Sequence, residues 1–308
     1  MTADPPREPD PAAIDPRAVR RHFERAARTY DAAAVLQREV GTRMMERLDV
    51  MRLAPATILD AGCGTGEALP ELAARYPLAR RVALDVALPM LVATRERIRE
   101  NRSLVDRLLS PLGVRAPGAA SLVCGDVGSL PFDSGTFGLV WSNLTLQWVA
   151  DLPRAIAEIH RVLEIGGLVT FTTFGPDTLK ELRAAFAAVD AHPHVGRFVD
   201  MHDVGDLLVQ SGFSDPVMQM EMLTLTYADA RSMASDLKAI GATNVAQGRR
   251  RGLMGRERFA RALASLEAVP GRAADGRIAA TFEVVYGHAW KAAPRRTAEG
   301  HAIVQFER

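Results

Sequence analysis

The sequence predicts an α/β fold, an open and mostly parallel sheet with helices on both faces, and three strand ends carry that prediction. The first is Ile58-Leu59-Asp60, a short apolar run closing on an acid and followed by Ala61-Gly62-Cys63-Gly64-Thr65-Gly66. Backbone bare of side chains at Gly62, Gly64 and Gly66 lets a ligand lie against the chain at the carboxyl end of a parallel strand, where open α/β sheets place their crevice. The second is Arg81-Val82-Ala83-Leu84-Asp85-Val86, whose acid falls about 20 residues on, where this architecture binds a ribose diol. The third, Ser121-Leu122-Val123-Cys124-Gly125, ends at Asp126-Val127. A glycine loop alone is a weak signal, but three strands each closing on an Asp-bearing turn make chance improbable. A nucleoside-sized pocket follows. Dinucleotide cofactors are disfavoured, because the third glycine comes one residue too early for G-x-G-x-x-G.

The remaining elements fit around those strands. Residues 1–18 are polar and proline-rich and read as a disordered leader, with no hydrophobic stretch of a signal peptide. Residues 19–53 have helical spacing, with Phe23, Ala26, Ala27 and Tyr30 on one face and Val35, Leu36, Val40 and Met44 following, and form a lid ahead of the first strand. Residues 67–75 and 89–101 supply crossover helices, as parallel strands require. Residues 103–120 are an irregular insertion rich in Pro and Gly. Residues 137–142 read as the fourth strand, 152–163 as its helix and 168–174 as the fifth strand after a Gly166-Gly167 turn. Residues 217–227 and 278–286 read as a closing pair of long strands, separated by a helical insertion over 228–268. One domain therefore spans 19–291, with a tail over 292–308.

Composition narrows the function. The 308 residues are 48% hydrophobic with a net charge of +1, enough for a large core and without general reason to expect nucleic acid. The two cysteines, Cys63 and Cys124, show no metal spacing and do not make a disulfide framework, which suits a reducing cytoplasm. No apolar run is long enough to span a bilayer. His192-Pro193-His194 and His202-Asp203 lack regular ligand spacing, so no metal is expected, and His202 with Asp203 are read as capping a helix over 204–210 that ends at Gly212. His160 sits on the 152–163 helix as a core-edge side chain.

Together, Asp60-Ala61-Gly62-Cys63-Gly64-Thr65-Gly66, Asp85, Gly125-Asp126 and Arg161-Val162-Leu163-Glu164-Ile165-Gly166-Gly167 resemble the class I S-adenosylmethionine-dependent methyltransferases, with a seven-stranded sheet. The resemblance covers residues 23–174. It implies that Asp60 and the glycine loop at Gly62, Gly64 and Gly66 receive the methionine part of the cofactor. Asp85 with Val86 would take the ribose and Asp126 with Val127 would flank the adenine. Asn143, at the end of the fourth strand, faces cofactor and acceptor. A second resemblance is more specific. Phe23-Glu24-Arg25-Ala26-Ala27-Arg28-Thr29-Tyr30-Asp31, Ser142-Asn143-Leu144-Thr145-Leu146-Gln147-Trp148, Thr172–Arg183 and Phe198-Val199-Asp200-Met201-His202-Asp203 look like the malonyl-acyl-carrier-protein O-methyltransferases of biotin synthesis. The lack of a proline before Gly166-Gly167 and the 103–120 insertion are the departures.

That resemblance implies methyl-ester formation on the free carboxylate of a malonyl thioester, carried by an acyl carrier protein or by coenzyme A. A carboxylate with a pKa near ~4 is already ionised at neutral pH, so no general base is needed. Arg183 is the candidate cation for it, because a guanidinium binds a carboxylate bidentately, with Tyr30 and Gln147 as further donors and Tyr30 closing over both substrates. Trp141 is read as a core anchor, and Trp148 with Gln147 as projecting over the crevice. Arg249-Arg250-Arg251, with Arg256 and Arg258, form the basic patch expected to meet an acidic carrier protein. Two alternatives stand beside this reading: a methyltransferase for an aconitate-like free acid or a quinone precursor, and a methyltransferase-like assembly factor.

Overall fold

The computed structural model describes residue 10 and residues 12–101, 120–190, 192–249, 252, 255–268 and 276–293. Its centre is a seven-stranded sheet in the order β3-β2-β1-β4-β5-β7-β6. The strands are β1 Thr57–Ala61, β2 Arg80–Asp85, β3 Ser121–Cys124, β4 Phe137–Ser142, β5 Leu163–Phe174, β6 Ser214–Tyr227 and β7 Ile278–Trp290. β1 to β5 pair in parallel, and β7 runs antiparallel between β5 and β6. β1 and β4 are buried along their whole length, as apolar runs covered on both faces should be. β6 alternates half-buried with exposed, which marks an edge strand wet on one side.

Period-two alternation divides the interior into two cores. Ile58, Leu139 and Trp141 point to one face, where they meet Val40, Met44, Leu72, Phe174 and Tyr286. Leu59, Ala61 and Val140 point to the other, against Ile156, Ile159, Phe171, Val204 and Leu208. Trp141 is 1% exposed, a core anchor as expected. The helices that cover these faces are α1 Pro16–Ala26, α2 Tyr30–Ala33, α3 Val35–Arg47, α4 Leu69–Arg75, α5 Leu88–Glu100, α6 Leu152–Val162, α7 Lys180–Ala187, α8 Met201–Gln210, α9 Ala230–Ala239 and α10 Arg256–Ala268.

Several expectations change. The leader does not extend to residue 18. Ile14 bridges Ala246, and the Asp15 side chain caps α1 by accepting from the Arg17 and Ala18 N–H groups, so order begins at least four residues earlier. Residues 228–268 are not one helical insertion. α9 stops at Ala239, Gly241 turns with φ +75°, and an extended connector follows to Gln247. β5 starts at Leu163 rather than 168. Gly166, at φ +82°, sits inside it where the register to β4 shifts, so the expected turn is a bulge within the strand. α8 begins at Met201 and is capped by Asp200, whose carboxylate accepts from the His202 N–H at 2.8 Å; His202 and Asp203 are first-turn residues, not caps. Nearly all of the 103–120 insertion, residues 1–9 of the leader and most of the tail lie outside the described residues.

Strand order reverses direction between β1 and β4, the switch point at which open sheets leave a crevice beyond their carboxyl ends.

Candidate active site

A cavity of about 230 Å³ occupies that crevice. Gly62 and Gly64 form its floor in left-handed backbone, at φ +82° and +54°. A Cβ on Gly62 would lie 2.2 Å from the Thr145 Oγ1, because the turns after β1 and β4 touch there. Asp85 holds the loop and faces the cavity. Its Oδ2 accepts the Gly64 N–H at 2.9 Å and its Oδ1 the Ala87 N–H at 2.8 Å, while burial pushes its pKa up to about 6. Val86, Asp126 and Val127 continue the wall, and the Asp126 Oδ1 accepts from the Gly128 N–H at 2.8 Å. Asn143 also lines it, its Nδ2 donating to the Gln37 carbonyl at 2.9 Å and its Oδ1 accepting from the Thr172 hydroxyl at 2.7 Å.

Two residues expected at the cofactor stand behind this wall. Asp60 is 3% exposed, its Oδ2 has no hydrogen-bond partner, and burial together with the Asp85 charge raises its pKa to about 8. Gly66 admits Thr94, whose Cγ2 lies 2.6 Å from where a Cβ would stand, so its role is close packing of the loop on α5.

A second, smaller cavity of about 80 Å³ lies beside the first, with Ile14, Phe23, Tyr30 and Gln37 of the N-terminal segment among its walls. Phe23, Tyr30, Leu144 and Trp148 belong to the walls of both cavities and so mark their junction. Phe23 and Trp148 meet edge to face, with centroids 5.4 Å apart. Burial and the carboxylates of Asp85, Asp31 and Glu67 push the Tyr30 phenol far up, so it stays protonated and available as a donor. The rest of the second cavity is mostly apolar, with Phe174, Leu182, Phe198 and Ile240 among its walls. Leu144 and Leu179 hold φ of +47° and +53° on that wall, strain of the kind that collects at ligand sites.

Gln147 lines this second cavity, but not as the donor expected. Its Nε2 donates to the Leu144 carbonyl at 2.7 Å, which leaves the buried Oε1 as the unpartnered atom. The Gln37 Oε1 is buried and unpartnered in the same cavity wall. Arg183 is not brought into either cavity. It lies on α7 and donates to the carbonyls of Pro176 at 3.0 Å and Thr178 at 3.2 Å, the last turn before its own helix. The basic patch also changes. Arg249 donates to Asp15 at 2.8 Å and to the Ala246 carbonyl at 2.8 Å, clamping α1 to the connector, while Arg250 and Arg251 lie outside the described residues. Arg256 and Arg258 are exposed on α10.

Sequence reading missed the fastening of the lid. The Thr65 hydroxyl, in the glycine loop, donates to the Asp31 Oδ1 at 2.6 Å, and Arg97 of α5 pairs with the Asp31 Oδ2 at 2.6 Å and with Glu67. Tyr30 is thereby tied to the glycine loop through its chain neighbour. The contacts are 34 and 66 residues apart in sequence, and no local pattern announces them.

The glycine floor, the buried acid at the end of β2 and the sheet order define a class I methyltransferase. Residues 59–171 match the family model described as "Methyltransferase domain". The YcgJ protein of Bacillus subtilis has the same fold, with a TM-score of 0.55 at 15% identity over 83% of this chain and 99% of that one. A malonyl-acyl-carrier-protein O-methyltransferase from Gallionella capsiferriformans is 51% identical over 95% of this chain and 96% of its own length. A second of that name, from Laribacter hongkongensis, is 51% identical over 94% of both. The chain belongs to the malonyl-acyl-carrier-protein O-methyltransferase family.

Proposed function

We propose that the protein transfers the methyl group of S-adenosylmethionine to the free carboxylate of a malonyl group carried on acyl carrier protein, at the start of biotin synthesis. The observation that carries this reading is the pair of cavities meeting at Tyr30, Leu144, Phe23 and Trp148, one with a nucleoside's donors and acceptors and one narrow and apolar. The residues fit the cofactor: a buried carboxylate at Asp85 suits a ribose diol, and Gly64 offers bare backbone, with only Tyr30 near its missing Cβ at 3.9 Å. When bound, S-adenosylmethionine supplies a methyl group made electrophilic by its sulfonium.

The chain's part is placement. The malonyl carboxylate is ionised at neutral pH and is itself the nucleophile, so the site needs no base. The protonated Tyr30 hydroxyl, at the junction, donates a hydrogen bond to the incoming carboxylate and fixes its direction. Apolar walls at Phe23, Trp148 and Phe174 exclude the water that would otherwise solvate it. Orientation of two bound reactants can supply much of the rate on its own.

The test incubates the protein with S-adenosylmethionine and malonyl-carrier protein, malonyl-coenzyme A, free malonate or aconitate, and weighs the products. One methyl added to the carrier form supports the reading. Methylation of aconitate or malonate alone would replace it with a free-acid acceptor, and cofactor binding without any methyl transfer would favour an assembly role.

A further inference from the structure

An open groove runs along the outer side of the acceptor cavity, flanked by two arginines that the reaction does not use. It has a volume of about 580 Å³ and is lined by Pro176, Arg183, Asp190 and the 192–198 segment. Residues 194–198 belong both to its wall and to that of the inner cavity, so the two spaces are neighbours across one stretch of chain.

The charge of this groove is only partly compensated. Arg183 donates to two main-chain carbonyls, which orient its guanidinium without cancelling its charge. Arg197 has 80% of its side chain exposed and, among the described residues, only Asp10 as an ion-pair partner, at 3.9 Å. Asp190, the acid inside the groove, is engaged through one oxygen: its Oδ1 meets the His194 ring at 2.7 Å and the His192 N–H at 3.0 Å, while its buried Oδ2 has no hydrogen-bond partner. His194 in turn stacks on Phe186 at 4.2 Å. On the other side of this stretch of chain the inner cavity is small and mostly apolar, and its wall holds the unpartnered oxygens of Gln37 and Gln147.

An acyl group on a phosphopantetheine arm has the same chemical order. Next to the thioester comes a thin uncharged chain with amide N–H groups, and beyond it a phosphate ester. We propose that Arg183 and Arg197 bind the phosphate of a carrier-borne phosphopantetheine arm, whose amides donate to Gln37 and Gln147 as the chain threads the inner cavity. This rests on the function proposed above. Guanidinium groups suit phosphate because they offer two parallel donors, and an open groove leaves room for the protein that bears the arm. Arg183 thereby acts on the far end of the substrate from the carboxylate.

The experiment compares kcat/KM for malonyl-pantetheine, malonyl-phosphopantetheine, malonyl-coenzyme A and malonyl-carrier protein. The wild-type enzyme is expected to prefer the phosphopantetheine form over the pantetheine form by about ten-fold, the scale of two partly exposed charge-assisted contacts. In Arg183→Gln/Arg197→Gln that preference falls to near unity, the change falling on KM rather than kcat, and Arg183→Lys/Arg197→Lys restores part of it. S-adenosylmethionine affinity measured by calorimetry on the same samples shows that the variants are folded. An undiminished preference in the folded Gln variant, or none in the wild type, would overturn the proposal. A kcat/KM for malonyl-coenzyme A at or above that of the carrier form would overturn assignment to a carrier-borne arm. If the wild type methylates none of the four, the proposed function itself fails and this inference with it.

Discussion

The two cavities are built in different ways. The first cavity, where we place the cofactor, is made mainly from turns at the ends of neighbouring strands, at Gly62, Gly64, 85–86, 125–129 and 143–145. The second cavity, where we place the acceptor, is made from side chains of many separate segments, from Ile14 and Gln37 through Phe174 and Phe198 to Ile240 and Phe282. One is a property of the sheet and the other of how helices and connectors are laid over it. Damage to the first should therefore reach folding and cofactor together, whereas damage to the second should change the acceptor and leave the cofactor in place.

The largest effect tests the first half of that contrast. Gly62→Ala puts a Cβ into Thr145 at a residue with φ +82°, combining backbone strain with overpacking. We expect a loss of about 2–4 kcal/mol in denaturant unfolding, with cofactor affinity falling alongside. A stable Gly62→Ala with normal affinity would show that the two turns can separate without consequence.

Asp85→Ala comes next. It removes the buried acceptor facing the cavity and frees the Gly64 N–H it holds. Loss of hydrogen bonds to a charged group is worth about 1.5–3 kcal/mol, so calorimetry should show S-adenosylmethionine binding weaker by roughly 10- to 100-fold. Phe198→Ala is the counterpart in the second cavity: KM for malonyl-carrier protein should rise while cofactor affinity stays within about two-fold, since Phe198 lines the second cavity and the outer groove but not the first cavity.

Asp31→Ala addresses the link between the two. Without that carboxylate, Thr65 and Arg97 lose their hold on the lid. The ion pair is partly exposed, so the effect is modest, a rise of about three- to ten-fold in the dissociation rate of the cofactor by stopped flow. An unchanged rate would mean that Tyr30 is placed by packing alone.

The last test concerns pH. The folded-state pKa of Asp60 is raised to about 8 from an ordinary 3.8, so the folded protein holds a proton that the unfolded chain releases. The sign follows: stability is greatest below about pH 4 as far as this group is concerned, and falls as pH rises toward 8. The Tm of the ligand-free protein should decline less between pH 5 and pH 8 in Asp60→Asn than in the wild type. Equal slopes would place the proton elsewhere.

How much of this could be read in advance differs between the same two regions. β4 was legible to the residue, and Gly62, Gly64, Asp85, Val86, Asp126, Val127 and Asn143 all line the first cavity. Asp60 and Gly66 belong to the same motif, yet serve the loop from behind, because a strand alternates its faces and a tight loop must also pack on its helix. On the acceptor side, Tyr30 reached the junction but Gln147 presents an oxygen rather than a donor, Arg183 faces an outer groove, and Arg249 clamps α1 instead of standing free for a partner. Phe198 sat within a recognised segment, although nothing local marked it as part of a cavity wall.

By itself, then, the sequence determined the sheet, the switch point, the glycine floor and the acid at the end of β2. These depend on hydrophobic periodicity, on the backbone freedom of glycine and on spacing along a short run of chain. Only the tertiary structure decided which polar atoms remain unpaired, which arginines keep an uncompensated charge, and which side chains share a wall. Those outcomes turn on partners brought together from distant parts of the chain, such as Arg249 with Asp15 and Thr65 with Asp31, and a side chain's chemistry is set by the partner it finds.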